Sequence, residues 1–161
     1  LVHISSITGR TVTPLRGVYH IAKHAVEALA ETYRYELSSF GIDSVIIEPG
    51  PFETGAHSRV ALPDDTHIQE QYGALSQGRE LAMAAFDRMF SDPNTPTSPD
   101  LFVAEVMKVI NTPLGKRPLR TTVGIDLGVS SFNALAHEFN HQALEQLGLD
   151  HFENIDPSNF R

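Results

Sequence analysis

The sequence predicts an α/β fold built on a parallel sheet. Two short, β-rich apolar runs, residues 1–5 and 44–48, flank one long helical period over residues 17–40. Continuous apolar strands of this kind suit sheets covered on both faces. A helix between two such strands is the crossover that parallel pairing requires. At 161 residues, 41% hydrophobic and 20% charged, the chain has the length and composition of one globular domain with a sizeable core.

In chain order, residues 1–5 form the first strand. Residues 6–16, with Gly9, Pro14 and three threonines, leave it as a loop. Val18, Ala22, Val26 (with Ala25), Leu29, Tyr33 and Leu37 then recur at threes and fours, the apolar stripe of a helix, and Gly41 is its stop. Glu27, Glu31, Arg34 and Glu36 read as its solvated face, and the His20/His24 pair as surface. Residues 44–48, centred on Val45-Ile46-Ile47, form the second strand, ended by Pro49-Gly50-Pro51. Residues 57–66 read as loop and 70–90 as a helix with Leu75, Leu81, Ala82, Ala85, Phe86 and Met89 on its apolar side. After a Pro-rich loop over 92–99, Ser98-Pro99-Asp100 starts a helix over 101–110 with proline at its first position. Residues 119–125 are a third strand. Residues 131–147 are a last helix with Phe132, Leu135, Phe139, Ala143, Leu144 and Leu147 apolar and Gly148 as stop. Residues 150–161 read as a polar, loosely held tail.

The bulk numbers exclude several classes. A net charge of −8 and a pI near 5.4, with no Lys/Arg run, argue against a general binder of nucleic acid or anionic membrane. Without cysteine there is no disulfide, thiolate metal site or cysteine nucleophile, which fits a reducing cytoplasm. No apolar run approaches the roughly 18 residues of a membrane span. Leu1-Val2-His3-Ile4 reads as a strand already under way, so the chain is expected to start inside a longer domain.

In parallel sheets, ligands bind beyond the carboxyl ends of the strands. Ser5-Ser6 and Pro49-Gly50 fall there, and Tyr19 opens the helix that connects them. Tyr19 and Lys23 are one turn apart on one face. An ammonium beside a phenol favours its ionised form, which makes Tyr19 a candidate proton donor or acceptor.

Three motifs occur in a set order. They are Ile4-Ser5-Ser6-Ile7-Thr8-Gly9, then Tyr19-x-x-x-Lys23 with the tyrosine thirteen positions after Ser6, then Ile47-Glu48-Pro49-Gly50-Pro51-Phe52-x-Thr54. Together they resemble the short-chain dehydrogenase/reductase (SDR) family, closely over residues 1–54 and more loosely at 119–125. The resemblance implies a Rossmann-like doubly wound parallel sheet. Residues 1–161 would be the C-terminal catalytic half, with the N-terminal βαβ half absent from this chain. Residues 55–92 would be a substrate-binding flap and 126–161 a C-terminal extension. It implies a bound nicotinamide cofactor, NAD or NADP without distinction, and hydride transfer between a carbonyl and a secondary alcohol. Ser6 would hydrogen-bond the substrate oxygen, Tyr19 would give or take the hydroxyl proton, and Lys23 would hold the nicotinamide ribose. The backbone of Pro49 and Gly50 would lie against the nicotinamide, and the backbone of Phe52 and the hydroxyl of Thr54 would anchor its carboxamide. The Phe52 side chain is expected to pack.

The departures are specific. His20-Ile21-Ala22 stand where the family usually carries small residues such as Ser-Ala-Ser. The family's catalytic asparagine on the preceding helix, its Gly-rich pyrophosphate turn and the residue that selects NAD or NADP have no counterpart here. By resemblance, two copies pair through the helix bearing Tyr19, whose outer face holds Ala28 and Tyr35, into a homodimer or homotetramer. Leu62, Ile68, Tyr72, Leu75, Leu81 and Met83 in the flap suggest a fairly apolar small-molecule substrate.

Two other readings compete. His137-Glu138-Phe139-Asn140-His141 matches the H-E-x-x-H pattern of a zinc metallopeptidase, with Glu145, His151 or Glu153 as a third ligand. Against it, the chain has eight histidines, and Leu135 and Phe139 read as the buried side of that helix, so no metal site is assigned. A non-catalytic SDR-like binding protein is the other, and the intact Ser6/Tyr19/Lys23 set argues against it.

Overall fold

The computed structural model describes residues 1–56, 59–61 and 64–155. His57, Leu62 and the tail 156–161 lie outside the described residues. Three strands, β1 (Val2–Ile4), β2 (Val45–Pro49) and β3 (Arg120–Val123), form a parallel sheet in the order β1-β2-β3. The register sets Val2 beside Val45, Ile4 beside Ile47, Ile47 beside Thr121 and Pro49 beside Val123. Helix α1 (Gly17–Glu36) crosses from β1 to β2. Helices α2 (Thr66–Gln71), α3 (Gly78–Ser91) and α4 (Pro99–Asn111) lie between β2 and β3 in the chain, and α5 (Val129–Leu147) follows β3. The α/β class and the parallel sheet are as the sequence predicts.

The central strand is covered on both faces. Val45, Ile47 and Val123 on one side form the core with Phe52 and with Phe102, Val106 and Val109 of α4. Alternation turns Ile46 and Glu48 to the other side, where α1 and α5 lie. Ser44 there donates to the Ala30 carbonyl at 2.8 Å, and Asn133 of α5 donates to Glu48 at 2.6 Å. Full burial of Ile46 and Ile47 contributes about 1.5–3 kcal/mol each. On β1, Val2 and Ile4 share the face of Val45 and Ile47 by register but remain 41% and 43% exposed.

Several sequence expectations are corrected. The buried side of α1 holds His20, Glu27, Ala30 and Arg34, while Val18 is 84% exposed and Leu29 is also exposed. The reason is ion pairing with groups outside the helix. Asp43 pairs with Arg34 and Arg117, and Arg120 of β3 pairs with Glu27 and Glu31. The single helix expected over 70–90 is broken, because Tyr72 ends α2 and Gly73 turns to φ 56° before a short 3-10 turn leads into α3. Asp65 caps α2 by accepting from the amides of His67 and Ile68. On α5, Phe132, Leu135, Phe139 and Leu147 are exposed, so the apolar stripe is not its packed side. Part of the tail is packed: residues Asp150–Glu153 form a 3-10 turn, and Ile155 is buried.

Candidate active site

Ser6 leaves the carboxyl end of β1 and caps the 3-10 turn Ile7–Gly9. It is buried, and its Oγ accepts from the Thr8 amide at 3.2 Å and the Thr8 hydroxyl at 3.0 Å. Its own proton points to the Pro49 carbonyl at 3.4 Å. One hydroxyl thus joins the ends of β1 and β2.

Tyr19 and Lys23 occupy the first turns of α1. Lys23 Nζ donates to the Ile4 carbonyl at 3.0 Å, which ties the helix to the same end of β1 and holds the ammonium 5.7 Å from the Tyr19 ring centroid. The Arg16 guanidinium lies 5.3 Å from that ring and 5.8 Å from the Phe86 ring of α3, so it bridges the tyrosine and the flap. The Tyr19 side is 41% exposed. Arg16 has no obvious motif spacing, and sequence reasoning passed over it.

The Pro49–Thr54 turn closes the third side. Gly50 donates to the Val123 carbonyl at 2.8 Å. A Cβ at Gly50 would stand 2.2 Å from the Ile125 carbonyl oxygen, so this residue must be glycine for the strand ends to meet. Phe52 is buried and packs edge-on against Phe102 with ring centroids 6.1 Å apart, a packing role as expected. Thr54 stands exposed at the rim.

Behind this edge lies a buried charged cluster that periodicity misassigned to solvent. Arg120 donates to Glu27 at 2.9 Å and to Glu31 at 2.5 Å, and lies 3.8 Å from Glu48. Burial works against the Arg120 charge, but the bonds and charges of Glu31 and Glu27 outweigh it and hold its pKa above the usual value. Burial, then the charge of Glu27, pushes the Glu48 carboxyl up to about 7. Glu27 Oε1 and Glu48 Oε1 are buried with no hydrogen-bond partner among the described residues. The signal available in the sequence was spacing: Glu27 continues the face of Tyr19 and Lys23 by one further turn.

The H-E-x-x-H match does not form a metal centre among the described residues. The His137 and His141 rings are 6.5 Å apart and tilted, and no group of three potential ligands converges. Instead His141 Nδ1 meets Glu153 at 2.5 Å and Nε2 meets Glu145 at 3.5 Å, which clasps the end of α5 to the turn after it. Among the described residues, no helix is long and apolar enough to cross a membrane.

Comparisons with known proteins bear on the family and the fold. A family model described as enoyl-(acyl carrier protein) reductase matches residues 1–85. An NADPH-dependent 3-dehydrocapnine reductase of Ornithobacterium rhinotracheale is 35% identical over 89 residues, 55% of this chain and 31% of that protein. Retinol dehydrogenase 16 of Mus musculus is 44% identical over 68 residues, 42% of this chain and 21% of that protein. The chain therefore spans about a third or less of these curated relatives. A solved short-chain dehydrogenase from Streptomyces avermitilis superposes with a TM-score of 0.56 at 24% identity, over 91% of this chain and 50% of that one, a likeness of fold.

Proposed function

Because the chain belongs to the short-chain dehydrogenase/reductase family, we propose that it carries the catalytic edge of an NAD(P)-dependent oxidoreductase that interconverts a carbonyl and a secondary alcohol. The observation that supports this reading is the Lys23 ammonium on the Ile4 carbonyl, which ties the helix turn carrying Tyr19 to the carboxyl end of β1, two residues before Ser6. Residues 1–161 are read as the C-terminal catalytic part of one Rossmann-fold domain, with 55–92 as flap and 126–161 as extension. The exposed apolar face of β1 and the half-length match to the solved dehydrogenase support this.

The donor set fits a nicotinamide nucleoside. An ammonium and a phenol suit a ribose diol, and the Pro49–Thr54 turn offers backbone groups and the Thr54 hydroxyl to a carboxamide. The cofactor, when bound, supplies or takes up the hydride. Ser6 turns its hydroxyl proton from Pro49 to the substrate oxygen and stabilises the charge that develops there. Tyr19 moves the hydroxyl proton, and Lys23 orients the ribose and keeps positive charge beside the phenol.

The exposed Ile68, Tyr72, Leu75 and Leu81 of the flap support a fairly apolar small-molecule substrate, in keeping with the retinol dehydrogenase match. The exposed outer stripe of α1, including Val18 and Ile21, supports pairing of two copies into a homodimer or homotetramer. The cysteine-free sequence is compatible with a reducing cytoplasm.

Ser6→Ala in the full-length protein tests the reading. Steady-state reduction of a responsive carbonyl with NADH and NADPH should lose about 10²–10³-fold in kcat, with cofactor affinity by fluorescence titration unchanged. Bound cofactor and undiminished turnover would reject the assignment of Ser6.

A further inference from the structure

His20 is one of two bulky residues standing where the family's Tyr-x-x-x-Lys pattern usually carries small ones, and the structure gives it an unexpected place. It is 3% exposed, with its ring between α1 and the 8–13 loop rather than at the surface. Nδ1 lies 3.1 Å from the Thr8 carbonyl. Nε2 lies 3.1 Å from the Thr13 amide, 3.2 Å from the Thr13 hydroxyl and 3.1 Å from the Thr13 carbonyl. The Thr8 carbonyl can only accept, so Nδ1 carries a proton; at Nε2 the Thr13 carbonyl would take a donor and the Thr13 amide an acceptor, and in the neutral ring the bare Nε2 accepts from the amide. The neutral ring then carries its proton on Nδ1 and donates it to Thr8. Thr8 in turn donates to Ser6 Oγ twice, from its amide at 3.2 Å and its hydroxyl at 3.0 Å. Two donors on one oxygen polarise the Ser6 hydroxyl and make it a better donor. Its 3.4 Å bond to Pro49 is the long member of the chain and the one a substrate oxygen would replace.

We infer that His20 is a positioning residue for Ser6: by holding the Thr8 carbonyl it keeps the Thr8 amide and hydroxyl aimed at Ser6 Oγ. The inference rests on the reading of Ser6 as the residue that binds the substrate oxygen.

Two near-isosteres separate the two ends of the ring. An asparagine amide nitrogen falls near the position of Nδ1, whereas a glutamine amide falls near Nε2. In the full-length protein, His20→Asn should therefore keep kcat within about threefold, while His20→Gln should lose about 10- to 100-fold with the cofactor KM unchanged. A two-bond ¹H–¹⁵N spectrum of the wild-type protein gives a readout independent of turnover, and should find His20 protonated on Nδ1 and bare on Nε2. A proton on Nε2 with Nδ1 bare overturns the inference. So do equal losses of kcat in the two variants while Ser6→Ala is inactive. A wild-type rate in Ser6→Ala would instead overturn the reading of Ser6, and the inference with it.

Discussion

A methyl group at Gly50 has no room, because the Ile125 backbone fills the space that a Cβ would take. Gly50→Ala must push apart the turn after β2 and the end of β3. The expected cost is about 1–3 kcal/mol, read from denaturant midpoints, with a fall in turnover because the same turn carries the Pro49 acceptor of Ser6. Glu48, one residue before that turn, gives a pH signature. Burial first, and Glu27 second, raise its carboxyl from 4.5 to about 7. The folded state then binds more protons than the unfolded state between those values. The stabilisation from Glu48 is full below about 4.5 and is lost as pH rises through about 7, with a slope of at most about 1.4 kcal/mol per pH unit. Glu48→Gln keeps the shape without the charge. It should flatten that slope and raise the melting temperature at pH 8; a variant that melts lower at pH 8 would show that the Glu48 charge stabilises the fold.

At the scale of elements, the strands were legible and the helix faces were not. Val45-Ile46-Ile47 and the Pro-Gly break identify a buried strand because both faces of a central parallel strand are apolar. The face of α1 misled because its buried side is polar: Glu27 is inside by virtue of Arg120, far along the chain, and Arg34 by virtue of Asp43 in the turn before β2. A local period scores transfer from water and carries no information about distant counter-ions. The site motifs do not depend on that face, because they are read from spacing along the chain. The burial of His20 was not readable, since its partners are a backbone carbonyl and the Thr13 loop residue. The clasp of α5 on the 3-10 turn after it is also invisible to periodicity. The Glu153 hydrogen bond and charge raise the pKa of His141, with Glu145 and Asp150 adding to it. Its contribution is present below the unfolded value of 6.5 and is lost as pH rises through the higher folded value. Amide hydrogen exchange over 150–153 should accelerate across that range after correction for intrinsic rates. His141→Ala should show the fast rate already at pH 6. Identical protection in the variant would remove the clasp from the account.

At the scale of the molecule, three parallel strands have α4 on one face and α1 and α5 on the other, and Ser6, the Lys23 ammonium and the Pro49 carbonyl lie at the carboxyl ends of β1 and β2, one edge of the sheet. That edge is set by β1 and β2, which lie within the residues that the family model matches. Residues 1–54 carry spaced motifs that can be read along the chain, whereas residues 55–92 carry only a composition. The central claim is that the Tyr19 phenol moves the proton during turnover. Tyr19→Phe removes one oxygen atom and leaves the ring beside Arg16 and Lys23. In the full-length protein, Tyr19→Phe should lose at least about 10²-fold in kcat for carbonyl reduction, with NAD(P)H still bound in fluorescence titration. An unchanged kcat in Tyr19→Phe would contradict that claim.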